Sequence, residues 1–171
     1  PAIEAGAQAI VQTASGCGAF VKEYGKLLRG DPLYAEKAKR VSELAVDLVE
    51  VLGSEPLQAL NANIGKTVAF HCPCTMQHAQ KLGTLAEQTL RRLGFHLSPV
   101  ADAHLCCGSA GTYSITQPAL SRQLRDNKLD ALESGKPDVI ATANIGCQMH
   151  LASAGRTPVR HWVELLDEAL R

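Results

Sequence analysis

Six cysteines carry the distinctive chemistry of this chain: Cys17, Cys72, Cys74, Cys106, Cys107 and Cys147. They form a Cys-x-Cys pair within His71-Cys72-Pro73-Cys74, a Cys106-Cys107-Gly108 run, and two Gly-Cys steps, Gly16-Cys17 and Gly146-Cys147. Between Cys74 and Cys106 lie 31 residues, and between Cys107 and Cys147 lie 39. An iron–sulfur cluster needs several thiolates converging on one point, with backbone N–H groups near the sulfurs. Gly108 and Gly146 let backbone approach a bulky inorganic group, and Pro73 stiffens the Cys72–Cys74 turn. Zinc is the rival reading, because Cys72-x-Cys74 and Cys147-x-x-His150 make two tight ligand pairs. Thiols without metal are the third, including a strained Cys106–Cys107 vicinal disulfide. Each cysteine has Gly, Pro or another Cys as a neighbour, which predicts that all six lie in turns rather than inside helices.

The remaining candidates are weaker. His71 adjoins the first pair and could hydrogen-bond a cluster sulfur, as groups around a metal centre tune it; satisfying local backbone is the plainer role. His104 reads as a loop hydrogen-bonding residue, and His78, His96 and His161 as surface or packing residues. Cys106 as a hydrolytic nucleophile would need a nearby His and an orienting acid, and no such signature is present. Gly65-Lys66-Thr67 lacks the first glycine of a phosphate loop and precedes a strand instead of following one. Gly16-x-Gly18 lacks the third glycine of a dinucleotide fingerprint.

These residues must be positioned by an α/β chain. Buried strands are predicted at Ala9–Thr13, Thr67–Phe70, Phe95–Val100 and Asp138–Ala143, with a short segment near Val159. Residues 1–9 read as a helix end. Helices are predicted at about 19–29, 75–93, 117–134 and 148–154, and at the C-terminus through Trp162, Leu165, Leu166, Ala169 and Leu170. Val41, Leu44, Ala45, Leu48, Val49 and Leu52 share one face of a further helix that follows the Asp31-Pro32 start and ends at Gly53. Residues 54–65 read as a loop and internal linker. Short apolar strands alternating with helices imply a mostly parallel sheet layered with helices. Functional groups in such folds gather beyond the carboxyl ends of the strands, where most of these cysteines fall. A weak internal repeat relates AIVQTASGCGAF (9–20) to VIATANIGCQMH (139–150), offset by 130 residues.

Composition limits the alternatives. Among 171 residues, 46% are hydrophobic, and 17 Lys+Arg balance 17 Asp+Glu. That is ordinary globular composition, with no basic excess to attract nucleic acid or an anionic membrane. No apolar run reaches the length of a membrane helix. The chain opens on Pro1, without Met or a secretory signal pattern, and reads as a piece of a longer one.

HCPC at 71–74, LCCGSAGTY at 105–113 and NIGCQMHLASAG at 144–155 resemble the cysteine-rich CCG-domain family, in its glycolate oxidase iron–sulfur subunit branch. Relatives there include the heterodisulfide reductase B-type subunit and lactate and glycerol-3-phosphate dehydrogenase proteins. The resemblance covers essentially the whole chain. It implies a tandem CCG repeat: residues 1–53 would hold the end of a first, truncated unit plus connecting helices, and 54–171 a complete second unit. It implies a [4Fe–4S] cluster, with Cys74, Cys106, Cys107 and Cys147 matching the motif and zinc as the alternative. The family pattern often ends Cys-x-x-Cys; here that place is His150, and Phe20 in the Cys17 copy. Cys72 stands where many relatives lack a cysteine, so Cys72 replaces the missing thiolate or His150 ligates. Cys17 is a doubtful ligand, expected as a free thiol. The resemblance further implies electron relay from flavin-containing glycolate oxidase subunits, an upstream ferredoxin-like part of the same chain, no catalysis at carbon on this chain, and a cytoplasmic location with contact to the inner membrane face through the complex. A heterodisulfide-reductase-like thiol redox role is the other alternative.

Overall fold

The computed structural model describes residues 2–60 and 65–171; residues 61–64, within the predicted linker, lie outside the described residues. After turns at residues 2–6, β1 (Ile10–Gln12) runs into α1 (Ser15–Lys22) and the single-turn α2 (Tyr24–Leu27). Next, α3 (Ala35–Leu44) leads directly into β2 (Ala45–Asp47), α4 (Leu48–Ser54) and a 3-10 turn at Leu57–Leu60. Then come β3 (Thr67–His71), a π turn at Thr75–Ala79, α5 (Gly83–Arg92) and β4 (His96–Leu97). A long loop precedes the short α6 (Tyr113–Thr116) and α7 (Pro118–Glu133). The chain ends with β5 (Val139–Thr142), α8 (Ile145–Ala152), β6 (Val159–His161) and α9 (Trp162–Leu170).

All strand pairs are parallel: β1 with β2, and a four-stranded sheet in the order β4-β3-β5-β6. Alternation along the strands divides the core. Val68, Phe70, Val139 and Ala141 enter a cluster with Met76, Leu90, Trp162 and Leu165. Ala69 and Ile140 enter another with Leu129, Leu132 and Leu151. The predicted α/β fold of parallel strands with flanking helices is thus the observed one.

Several expected boundaries differ. The helix expected across Val41–Leu52 is broken by β2, because Asp47 starts a new helix. Its carboxylate accepts from Val49 N, and Glu50 accepts from Asp47 N at 2.7 Å, completing a capping box. The helix expected over 75–93 is divided by Gln80–Leu82, where Lys81 takes a positive φ of 58°. There the Gln80 amide leaves its own segment and donates to the Ser15 carbonyl at 2.9 Å. Strand β4 is shorter than expected. Ser98 N still donates to Val68 O at 2.9 Å, but Pro99 has no N–H to continue the ladder. Residues 2–6 form turns, not the end of a helix.

The two Gly-Cys segments adopt the same strand–helix form. The 130-residue offset carries the limits of α1, Ser15 and Lys22, onto those of α8, Ile145 and Ala152. It also carries Ile10 and Gln12, which pair with Ala45 and Asp47, onto Ile140 and Thr142, which pair with Val159 and His161. Both segments abut: Ser15 N donates to Ala143 O at 2.9 Å. His161 Nδ1 accepts from Val163 N as the cap of α9, so Nε2 carries the proton it donates to Thr13 O at 2.9 Å. No helix among the described residues is long and apolar enough to cross a membrane.

A thiol and imidazole centre as candidate metal site

The carboxyl ends of β3 and β5 deliver His71 and Thr142 side by side, as their pairing register requires. Continuing the alternation of β3, His71 falls on the Ala69 side of the sheet and Cys72 on the Val68–Phe70 side. His71 Nδ1 meets Thr142 Oγ1 at 3.0 Å. Its Nε2 is buried without a hydrogen-bond partner. One ligand atom each from His71, Cys107 and Cys147 lies within 4.8 Å of the others.

Cys147 reaches this point from inside a helix. The expected start of α8 at residue 148 gives way to Ile145, because Asn144 caps it, its side-chain oxygen accepting from Gly146 N at 2.9 Å and Cys147 N at 3.4 Å. Cys17 likewise lies within α1. The expectation that all six cysteines sit in turns is therefore corrected for these two, where glycines beside them occupy first helical turns, and for Cys74, which takes helical geometry ahead of the π turn. Cys107 arrives on the 101–111 loop and is only 2% exposed. Gly108 turns that loop at φ +84° and packs so closely that a Cβ there would lie 2.4 Å from Ser121 O. Ser121 Oγ donates to Gly108 O at 2.8 Å, holding the loop to α7.

Electrostatics joins four thiols. Cys107 is brought down to about 4, foremost by the hydrogen bond from Cys147, and the nearby His71 ring also draws it down, against burial. Cys147 is pushed up correspondingly, so the pair is a thiolate accepting from a thiol. Cys74 rises to about 11 through burial and then through the charge and hydrogen bond of Cys106. Gly108 N points at Cys106 Sγ, 3.4 Å away, the kind of N–H a thiolate or cluster sulfur accepts from.

The other candidates stand apart. Cys72 packs in the larger apolar cluster with Phe70 and Met76, where burial pushes it up to about 12. His150 directs Nε2 to Ser121, 3.0 Å from Oγ and 3.3 Å from the carbonyl oxygen. Cys17 is exposed. All six thiols are free, so no vicinal disulfide joins Cys106 and Cys107. Three contributors escaped the sequence reading. Asn144 and Thr142 were legible as an N-cap residue and by strand alternation. Lys128 was legible as a charge spaced i+4 from Leu124 and i−4 from Leu132 on α7.

Soft thiolates with an imidazole suit zinc or iron–sulfur, not hard oxygen-seeking cations. The unpartnered Nε2 of His71 and the converging free thiols fit such a group. The raised thiols also set a pH response. In the unfolded chain they ionise near 9.0, while the folded chain keeps Cys72 and Cys74 protonated to about 12 and 11. The folded state then binds more protons, so stability falls as pH rises through that window. Thermal unfolding of the reduced, metal-free protein will show a falling midpoint above pH 9, shallower in Cys72→Ala; equal slopes in the two proteins would refute this origin.

Residues 68–152 match the family described as CCG, cysteine-rich domain. The chain is also 35% identical over 176 residues to lactate utilization protein A of Geobacillus thermodenitrificans (strain NG80-2), across 95% of this chain and 71% of that protein. This chain belongs to the cysteine-rich CCG-domain family. Among its relatives, the glycolate oxidase iron-sulfur subunit of Escherichia coli (strain K12) is 69% identical over 170 residues, covering 99% of this chain and 42% of that protein. The probable glycolate oxidase iron-sulfur subunit of Bacillus subtilis (strain 168) is 30% identical over 171 residues, covering 94% and 38%. This CCG chain thus spans less than half the length of either glycolate oxidase relative. The HCPC, CCG and Gly-Cys segments that carried the resemblance all begin within the matched 68–152.

Proposed function

We propose that this chain is part of the iron–sulfur subunit of a glycolate oxidase complex, a non-catalytic electron carrier. The observation that carries the reading is the grouping of Cys107 and Cys147 with the His71 ring, their ligand atoms within 4.8 Å of one another, with Cys74 and Cys106 close enough to act on them electrostatically. Identity of 69% to the E. coli glycolate oxidase iron-sulfur subunit supports the choice of complex. A [4Fe–4S] cluster bound there supplies electron transfer. The four thiolates would hold it, with His71 as a neighbouring donor or ligand. The Gly108 N–H stabilises sulfur charge at Cys106, and Thr142 fixes the His71 ring. Cys72 and Cys17 take no part as ligands of this centre. Oxidation of glycolate falls to a flavin-containing partner subunit, from which this chain accepts electrons, in the cytoplasm at the inner membrane face. The shared 130-residue offset supports the view that residues 1–53 hold the end of one cysteine-rich unit and 54–171 a second.

A zinc module is the second reading, favoured by the tightness of the His71–Cys107–Cys147 group. Iron, zinc and acid-labile sulfide measured on protein reconstituted without oxygen separate the two. Iron with matching sulfide, and a brown colour, is expected. Zinc without sulfide would overturn the electron-transfer reading.

A further inference from the structure

Lys128 is 1% exposed in the middle of α7, and no carboxylate pairs with it among the described residues. Its Nζ donates to Ala103 O at 2.8 Å and lies 3.5 Å from Asp102 O. An ammonium withdrawn from water is costly unless opposite charge faces it, and two carbonyl dipoles are a partial answer. Burial pushes its pKa down; Cys74, Cys107, Cys72 and Cys106, in that order, hold it up. The charges that act on this cation are therefore those of the thiols, while its direct contacts are the two carbonyls.

The placement is built in. Ala103 O also accepts from Gln77 Nε2 at 3.2 Å, and the same amide donates to Cys72 O at 2.8 Å. The ammonium thus sits where the Cys72–Cys74 turn meets the loop carrying Cys106 and Cys107. The adjacent Leu129, and Leu132 one turn on, pack with Ala69 and Cys107. That fixes α7 against the thiols, so the charge has no freedom to swing into solvent.

We infer that Lys128 is the built-in counter-charge of the metal centre, offsetting the negative charge collected by Cys74, Cys106 and Cys107 and easing uptake of an electron there. The inference rests on the metal-centre reading above. Lys128 acts through its field and not as a ligand, since an ammonium has no lone pair to give.

Lys128→Met and Lys128→Gln in the full chain test this. Met keeps an unbranched, uncharged stem without a donor; Gln keeps an amide donor without charge. In reconstituted protein, both variants should lower the equilibrium constant for one-electron reduction about tenfold, a 59 mV fall in potential. In reduced, metal-free protein, Cys106 is alkylated separately with anionic iodoacetate and neutral iodoacetamide and followed by peptide mapping. The ratio of the two rates cancels the thiolate fraction and reports the local potential; both variants should cut it about threefold. Equal effects in the two variants, with native circular dichroism, support the counter-charge. Unchanged potential and ratio overturn it. An effect confined to Met also overturns it, making Lys128 a strut for Ala103. A chain that takes up no iron overturns the metal-centre reading, and the alkylation ratio then decides the counter-charge by the same criterion.

Discussion

Cys107→Ser will leave the anaerobically reconstituted protein depleted of metal by more than about tenfold, because losing a mere outer neighbour of a metal already costs 10–100-fold. Cys107 is the hub of the site. It shares a proton with Cys147, adjoins His71 and belongs to the group whose ligand atoms lie within 4.8 Å. Serine nearly matches the shape, and its hydroxyl does not ionise near neutrality, so the variant removes the thiolate and little else. The fold will persist, since the Ala69, Leu129, Leu132 and Ile140 cluster stays apolar. Cys72→Ser provides the contrast. Cys72 lies on the opposite side of the sheet among Phe70 and Met76, so that variant will lose stability, about 1–3 kcal/mol for a buried hydroxyl with no partner, and keep its metal. Metal and sulfide analysis beside urea unfolding reads both quantities. Wild-type metal content in Cys107→Ser, or equal metal loss in the two variants, would show that the thiols are grouped wrongly.

Gly108→Ala carries the largest expected cost in stability, about 2–5 kcal/mol. The φ of +84° strains any L side chain, which accounts for about 1–2 kcal/mol. The rest is steric, since overpacking costs about 1–3 kcal/mol. A methyl carbon would lie 2.4 Å from Ser121 O and 3.1 Å from Leu124 Cβ, and neither backbone nor a helix-borne Cβ moves freely. Relief requires lifting the loop from α7. That breaks the Ser121–Gly108 hydrogen bond of 2.8 Å and draws Cys106 and Cys107 away from Cys74 and Cys147. Gly111→Ala isolates the conformational part: φ is +60°, and nothing lies within 4 Å of the added carbon. It should cost about 1–2 kcal/mol and spare the metal. Similar denaturation midpoints for the two variants would remove the steric argument.

The strands and helices that matter most were legible because their patterns are local. Continuous apolar runs predicted buried strands at Thr67–Phe70 and Asp138–Ala143, observed as Thr67–His71 and Val139–Thr142, and Pro118 and Glu133 bound a helix near its predicted ends. Errors fell where one local signal outweighed another. The apolar stripe from Val41 to Leu52 suggested one helix, yet Asp47 and Glu50 spell a capping box that starts a second. Glycines beside Cys17 and Cys147 suggested turns, yet Asn144 caps a helix that begins before Cys147.

By itself, the sequence determined the inventory: parallel α/β elements, a CCG core, and thiols positioned just after strand ends. It also contained the parity that separates His71 from Cys72, since neighbours in a strand point to opposite faces. Only the tertiary structure decided which face holds the centre, because that depends on which layer brings in Cys107 and Cys147 from 36 and 76 positions further on. The same holds for His150, which is turned to Ser121, and for Lys128, whose charge is buried where two loops meet. Such choices are made by packing between distant segments: spacing on α7 puts Lys128 in line with Leu124 and Leu132 but does not say what its charge meets.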